Sequence, residues 1–136
     1  MMNFNQVVVE KMAYSLPPHI VSSKELEGTL APLYQRLNLQ IGRLELMTGI
    51  EERRFWDSHQ QASHSSAEAG IKLLKEGEID PNAVDLLIHS AVCRDRLEPA
   101  TASYVHNLMG LGQNTQILDV SNACLGFLNA LILGGS

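Results

Sequence analysis

The chain has 136 residues, of which 45% are apolar and 18% charged, and its formal net charge is −5. This length favours one domain, and the composition is typical of a globular protein rather than a disordered or fibrous one. Nucleic acids and anionic membranes attract basic patches, so an acidic chain without a long charge run argues against both as partners. No signal peptide and no stretch long enough to span a bilayer are recognisable, so a cytoplasmic location is expected.

The first part of the chain predicts a strand and a leucine-rich helix. Residues 7–12 are typical of a strand. Ser22 and Glu25 have the spacing of a capping box at a helix start, and Pro32 is expected to kink or split that helix. The apolar face of the helix is formed by residues four, three and four positions apart, namely Leu26, Leu30, Leu33 and Leu37.

The remaining chain alternates between helices and strands. An amphipathic helix is expected around Ala67, Ile71 and Leu74, ending near Gly77, and Asp80 resembles a cap. Residues 84–92 contain consecutive apolar residues, which favour a central strand of a parallel sheet. A helix from Pro99 to Met109 that closes at Gly110 or Gly112, a strand over 116–120 and a helix over 124–133 complete the pattern. Such alternation predicts an α/β fold.

The last predicted helix is apolar around its whole circumference. A helix of this kind is normally buried on all sides. Little chain follows it to provide the cover. We therefore expect that a second half completes the fold, either in the same polypeptide or from another chain.

Cys124 lies at the junction between the strand over 116–120 and the last helix. The first turn of a helix has unpaired N–H groups and a positive dipole end, which stabilise a thiolate. Gly126 leaves room for a close approach by another group. The geometry is similar to the elbow that presents a nucleophile in hydrolases. On position alone, Cys124 is either a reactive nucleophile or a small core residue.

Three segments resemble one known family. Residues 121–127, Ser-Asn-Ala-Cys-Leu-Gly-Phe, resemble the nucleophile segment of ketoacyl-ACP synthase III and its relatives in the thiolase superfamily. Residues 48–54, Thr-Gly-Ile-Glu-Glu-Arg-Arg, resemble an early motif of that family. Residues 94–102 resemble the loop and helix that precede the nucleophile strand. The three matches fall in the family's order and span most of the chain.

The resemblance implies the first half of a five-layered α/β/α/β/α fold built from two similar halves, and an obligate homodimer. Residues 1–136 would then be a truncated N-terminal thiolase-like domain without its C-terminal half. The family's catalytic His and Asn lie in that second half, so this chain alone is not expected to turn over substrate. Neither a cofactor nor a metal ion is implied, and the two cysteines fit no metal-ligand spacing.

Other reactive side chains have simpler interpretations. The five histidines match no catalytic position and are expected to be surface residues or satisfied core residues: His19, His59, His64, His89 and His106. Cys93 is expected to be a packed thiol, and Phe55 and Trp56 are expected to serve packing. Arg53 and Arg54 either meet the phosphates of coenzyme A or form a solvated or structural pair.

Two departures from the fatty-acid initiating enzymes favour one branch of the family. Arg43 and Met47 stand where that branch has a Trp and an Arg that help to hold coenzyme A. Glu98 replaces an apolar residue in the loop that crosses the dimer interface. The combination resembles the branch that joins two long-chain acyl-CoAs head to head, in which the matching Glu reaches into the partner's active site.

The chemistry of that branch assigns a task to each site residue. Cys124 would hold the first acyl group as a thioester. Two ordinary acyl thioesters have no carboxylate to lose, so one must be deprotonated beside its carbonyl, and Glu98 is the candidate base. The alternatives are ketoacyl-ACP synthase III acting on malonyl-ACP, a non-catalytic half that only assembles with a partner chain, and a ligand-binding α/β module.

Overall fold

The computed structural model describes residues 4–136. The chain divides into two compact units, one formed by Leu16–His59 and the other by Gln60–Ser136 with residues up to Ser15. The smaller unit contains the elements β1 (His19–Ser22), α1 (Ser23–Thr29), α2 (Ala31–Arg36), α3 (Arg43–Thr48) and β2 (Glu52–Phe55). Strands β1 and β2 pair antiparallel, with His19 opposite Phe55, a pairing that the sequence pattern did not predict.

The helix start and the helix break predicted in the smaller unit are confirmed. The Ser22 hydroxyl accepts a hydrogen bond of 3.1 Å from the Glu25 backbone N–H, which caps α1. The helical segment is split at Leu30, and Pro32 lies in the first turn of α2. Proline is tolerated there because the first-turn N–H groups have no intrahelical partner.

The larger unit contains a parallel pair of strands with helices on both faces. Its elements are α4 (Ala62–Gly77), β3 (Leu86–Ser90), α5 (Thr101–Met109), β4 (Gln116–Val120) and α6 (Gly126–Gly135), with short 3-10 turns at Pro81–Ala83 and Ala123–Leu125. The ladder runs from Leu86 opposite Gln116 to Ser90 opposite Val120. Helix α5 provides the crossover that a parallel pair requires.

Side-chain alternation along β3 decides which helices cover which face. His89 contacts Ser66 of α4 at 3.2 Å, whereas Ser90 faces Gly126 of α6. Helices α4 and α5 therefore lie on one face of the sheet and α6 lies on the other. The buried apolar residues lie on the α4–α5 side, at Ala67, Leu74, Ala102, Val105 and Leu111.

Two expectations about the larger unit are wrong within the described residues. Residues 7–12 form no strand, and Val8 is 83% exposed. Strand β3 is not central, because among residues 4–136 it pairs only with β4. The apolar helix α6 is not enclosed by the described residues, since Phe127 is 65% exposed, which agrees with the expectation that little of this chain covers it.

The helices of the described chain are short. Among residues 4–136, none is both long and apolar enough to cross a membrane.

Candidate active site

The two segments that carry the predicted site residues start at the same edge of the parallel sheet. Ser90 and Val120 are register partners at the carboxyl ends of β3 and β4. From there, β3 leads into the loop over residues 91–100, which contains Glu98, and β4 leads into the turn that contains Cys124. The Ala91 N–H donates to the Val120 carbonyl at 3.2 Å and ties the two segments together. Open α/β sheets bind ligands at this edge.

Cys124 lies in a sharp turn between β4 and α6. It belongs to the 3-10 turn Ala123–Leu125, so it precedes the first α-helical residue, Gly126, by two positions rather than lying in the first turn of α6 as expected. Ala123 has φ +42°, a left-handed conformation that costs a non-glycine residue roughly 1–2 kcal/mol. Such strain is typical of functional turns. The consequence here is an exposed Cys124 thiol.

Contacts on both sides of Cys124 hold this turn. The Leu125 N–H donates to the Asn122 carbonyl at 2.9 Å, and the Asn122 amide donates to the Asn129 side-chain oxygen at 2.7 Å. A Cβ at Gly126 would lie 2.7 Å from the Ser90 hydroxyl oxygen. The close approach that was expected at Gly126 is therefore made by Ser90 of the neighbouring strand.

Glu98 lies in an exposed part of the loop over residues 91–100. Among the described residues its carboxylate has no hydrogen-bond or ion-pair partner, and the preceding Leu97 is 86% exposed. The middle of this loop is anchored by Asp95, which accepts a hydrogen bond of 3.1 Å from the Ser63 backbone N–H in the first turn of α4. Burial acts to raise the pKa of Asp95, but the polar groups of Ser63 and the Ala62 N–H outweigh it, so the pKa is lowered.

Asp119 in β4 anchors the other end of that loop. Its two carboxylate oxygens accept hydrogen bonds of 2.8 Å each from the Thr101 and Ala102 backbone N–H groups. These donors belong to the first turn of α5, where a negative charge is favourable. Asp119 was not predicted as a functional residue from the sequence. The available signal was one carboxylate inside the apolar strand sequence Ile-Leu-Asp-Val.

His89 lies between Ser66 and Asp119, in an order that resembles a hydrolase triad. Its Nε2 is 3.2 Å from the Ser66 hydroxyl, but its Nδ1 is 3.6 Å from Asp119, which is beyond hydrogen-bond range. Both Asp119 oxygens already accept backbone N–H groups. The arrangement therefore does not form a triad, and His89 is a buried, hydrogen-bonded core histidine, as one of the two sequence interpretations had it.

The remaining candidate residues lie outside this region or at its surface. His19 contacts Asp57 at 2.7 Å, and the ring of His106 contacts the Gly112 carbonyl at 3.0 Å. Cys93 is exposed, so the expectation of a packed thiol is wrong; the reason is that it lies beyond the end of β3, in the loop. The other side chains are exposed at His59, His64 and Phe55 and half-buried at Trp56.

The two adjacent arginines of β2 have different environments. Arg53 is half-buried, and its guanidinium donates to the Ser23 hydroxyl at 2.8 Å. Arg54 is exposed, donates to the Pro17 carbonyl at 3.3 Å and lies 4.0 Å from Glu52. Both arginines thus have contacts within the smaller unit, which fits the structural interpretation of the pair.

The smaller unit contains a buried carboxylate that was not predicted from the sequence either. Glu27 is fully buried and accepts hydrogen bonds from the Gly42 N–H at 2.5 Å, the Leu44 N–H at 2.6 Å and the Tyr34 hydroxyl at 2.9 Å. The two backbone donors lower the pKa of Glu27 and hold the start of α3.

An apolar cavity of about 470 Å³ lies along β3 in the larger unit. Its walls come from α4, β3, α5 and α6, and its lining includes Leu74, Met109, Phe127 and Leu131, with Ser66 and His89 among the few polar groups. Such a cavity offers space for an apolar group of a ligand near the sheet that leads to Cys124.

Comparisons with known proteins converge on one group of enzymes, although no family model matches the chain. The chain is 41% identical over 131 residues to an acyl-CoA:acyl-CoA alkyltransferase of Shewanella oneidensis, covering 96% of this chain. It superposes on cerulenin-bound OleA of Xanthomonas campestris with a TM-score of 0.85, 38% identity and 91% of the chain covered. A 3-oxoacyl-(acyl carrier protein) synthase III of Xanthomonas oryzae gives a TM-score of 0.85, 39% identity and the same coverage.

The chain corresponds to only part of each of these proteins. It spans 38% of the length of the Shewanella relative and 36–37% of the two solved chains. The matched part includes the parallel strands and the strand-to-helix turn with Cys124. The chain is therefore similar over most of its length to the N-terminal part of acyl-CoA:acyl-CoA alkyltransferases and of a 3-oxoacyl-(acyl carrier protein) synthase III, and it shares the thiolase-like fold of these enzymes.

Proposed function

We propose that the chain is the nucleophile-bearing part of an acyltransferase that joins two long-chain acyl-CoAs by a head-to-head Claisen condensation. The observation that carries the proposal is the 41% identity over 131 residues to an acyl-CoA:acyl-CoA alkyltransferase. The exposed Cys124 thiol on a strained turn at the carboxyl edge of the sheet supports the proposal, because an acyl thioester can reach it.

The first half-reaction loads Cys124. Its thiolate attacks the carbonyl carbon of one acyl-CoA, a carbon–sulfur bond forms to Cys124, and the coenzyme A thiolate leaves. The Cys124 backbone N–H is the candidate donor to the oxyanion, because the Leu125 N–H of the same turn already donates to the Asn122 carbonyl. The product of this step is an acyl-Cys124 thioester.

The second half-reaction uses Glu98 as the base. Its carboxylate removes a proton from the carbon beside the carbonyl of a second acyl-CoA. The resulting carbanion attacks the acyl-Cys124 carbonyl, a carbon–carbon bond forms, and the Cys124 thiolate leaves. The product is a 2-alkyl-3-oxoacyl-CoA, and the proton remains on Glu98 for exchange with solvent.

A homodimer explains the environment of Glu98. A base for this reaction works best in a water-poor pocket, yet Glu98 is exposed in the single chain. Its neighbours Leu97 and Val92 are 86% and 71% exposed, which gives the loop an apolar surface for another protein. We infer that Glu98 acts in trans across a cytoplasmic homodimer, and that residues beyond 1–136 contribute the second half of the fold.

The test is product analysis on the full-length protein with two acyl-CoAs. Glu98→Gln is expected to accumulate acyl-Cys124, detected by intact mass, without condensed product. Cys124→Ser is expected to give neither. Glu10→Gln, which changes another exposed carboxylate in irregular chain, is the matched control and is expected to behave as the parent. Condensation by Glu98→Gln at close to the parent rate would sink the assignment of the base.

A second candidate function is that of ketoacyl-ACP synthase III. The observation that favours it is the fold match, with a TM-score of 0.85, to the Xanthomonas oryzae synthase III. That enzyme class obtains its carbanion by decarboxylating malonyl-ACP and needs no base at Glu98. Supplying malonyl-ACP in place of the second acyl-CoA distinguishes the two, since only the synthase III reaction would release carbon dioxide and survive Glu98→Gln.

A further inference from the structure

Asp119 connects the two segments that carry the proposed reacting groups. It lies in β4, one residue before the strand ends and five residues before Cys124. Its carboxylate accepts the Thr101 and Ala102 N–H groups at 2.8 Å each, and those residues follow Glu98 by three and four positions. The strand of the nucleophile thus directly holds the end of the loop that carries the proposed base.

We propose that Asp119 is a positioning residue that sets the Glu98 loop relative to the Cys124 turn. The inference rests on the proposed function, because it takes Cys124 and Glu98 as the reacting groups. Near Glu98, the loop is held on one side by Asp95 on the Ser63 N–H and on the other by Asp119. Glu98 lies between these two anchors and is itself unpaired among the described residues.

The environment of the two donors explains why a carboxylate is needed. Thr101 and Ala102 are both 0% exposed, so water cannot replace a lost acceptor at their N–H groups. A carboxylate offers one oxygen to each N–H and places a negative charge at the helix start. An asparagine has one acceptor oxygen and one N–H₂ donor group, so it satisfies one backbone N–H and opposes the other.

The prediction for Asp119→Asn in the full-length protein separates the two half-reactions. Condensation is expected to fall roughly tenfold or more, because small misplacements of reacting groups are costly. Acyl-Cys124 is still expected to form, because the first half-reaction does not use Glu98 or the loop that carries it. Amide hydrogen exchange at Thr101 and Ala102 is expected to accelerate. Asp119→Glu, which keeps two equivalent oxygens and the charge, is expected to recover part of the condensation rate.

A purely structural role would give a different pattern. Acylation and condensation would then fall together, in proportion to the folded fraction measured by circular dichroism, and that result overturns the proposal. Unchanged amide exchange at Thr101 and Ala102 in Asp119→Asn overturns it as well. Asp95→Ala, which removes the acceptor of the other anchor, is expected to slow condensation and leave exchange at Thr101 unchanged.

Failure of the proposed function is recognised separately, by Glu98→Gln. If Glu98→Gln condenses at the parent rate while Asp119→Asn slows condensation and speeds exchange, the base assignment fails and the role of Asp119 in arranging the site stands. If Glu98→Gln is inactive and Asp119→Asn condenses like the parent, the base assignment stands and the positioning role of Asp119 fails.

Discussion

The helices α5 and α6 both begin near the carboxyl edge of the parallel sheet, but the groups that contact their N-termini differ. The first N–H groups of α5 are occupied by the Asp119 carboxylate. The start of α6 has no side-chain cap and is preceded by the turn with Cys124. Since the N-terminus of a helix favours negative charge, a carboxylate stabilises the fold at α5, whereas at α6 the field remains available for a thiolate or an oxyanion.

The largest effect expected from this comparison is on thiol reactivity. Cys124 and Cys93 are both exposed, so exposure does not distinguish them. Only Cys124 adjoins a helix start that has no side-chain cap, where negative charge is favoured. Iodoacetamide is therefore expected to label Cys124 at least roughly tenfold faster than Cys93, because the helix start favours negative charge at the reacting sulfur. Peptide mass mapping after brief treatment measures the ratio. Equal labelling would break the comparison between the two helix starts.

Gly126→Ala tests how closely α6 must approach β3. A Cβ there would lie 2.7 Å from the Ser90 hydroxyl oxygen, so overpacking of about 1–3 kcal/mol is expected. Urea denaturation of the single variants, Gly126→Ala and Ser90→Ala, and of the double variant forms a cycle. Because Ser90→Ala removes the clashing oxygen, the double variant is expected to recover most of the loss. No recovery would place the strain elsewhere in the turn.

Ala123→Gly tests whether the backbone of the turn before α6 is strained. Ala123 has φ +42°, where glycine has no steric penalty, so the change is expected to stabilise the chain by about 0.5–1 kcal/mol. The matched variant Ala69→Gly, inside α4, is expected to destabilise it by a similar amount, because glycine is unfavourable in a helix interior. Thermal unfolding of both variants measures the two signs. Destabilisation by Ala123→Gly would contradict the strain.

The smallest expected effect is the pH dependence contributed by the loop anchor Asp95. Its folded-state pKa is lowered from the ordinary value of 3.8, because the polar groups at Ser63 outweigh the effect of burial. The unfolded chain then binds more protons at acid pH, so this contribution is present above pH 3.8 and is lost as the pH falls through the folded pKa. Asp95→Asn is expected to flatten the acid limb of the stability curve. An unchanged limb would exclude the contribution.

Many of the correct predictions came from signals within a few residues of one another in the sequence. The cap at Ser22 and the helix end at Gly110 depend on contacts a few residues apart. The strands β3 and β4 were found from runs of apolar residues, and Cys124 was located from the order of strand, cysteine and helix. Sequence resemblance then identified the family, because the motif around Cys124 is itself a local string.

Tertiary structure alone decided which groups satisfy the helix starts and which apolar faces are covered. Asp119 holds donors 17 and 18 residues away, Asp95 holds one 32 residues away, and Glu27 holds donors 15 and 17 residues away. Nothing in the local spacing of these carboxylates indicates such partners. Likewise, the apolar sequence of α6 indicates that burial of this helix is favourable. Burial requires a second apolar surface, and the position of that surface relative to the helix is determined by the fold rather than by the segment.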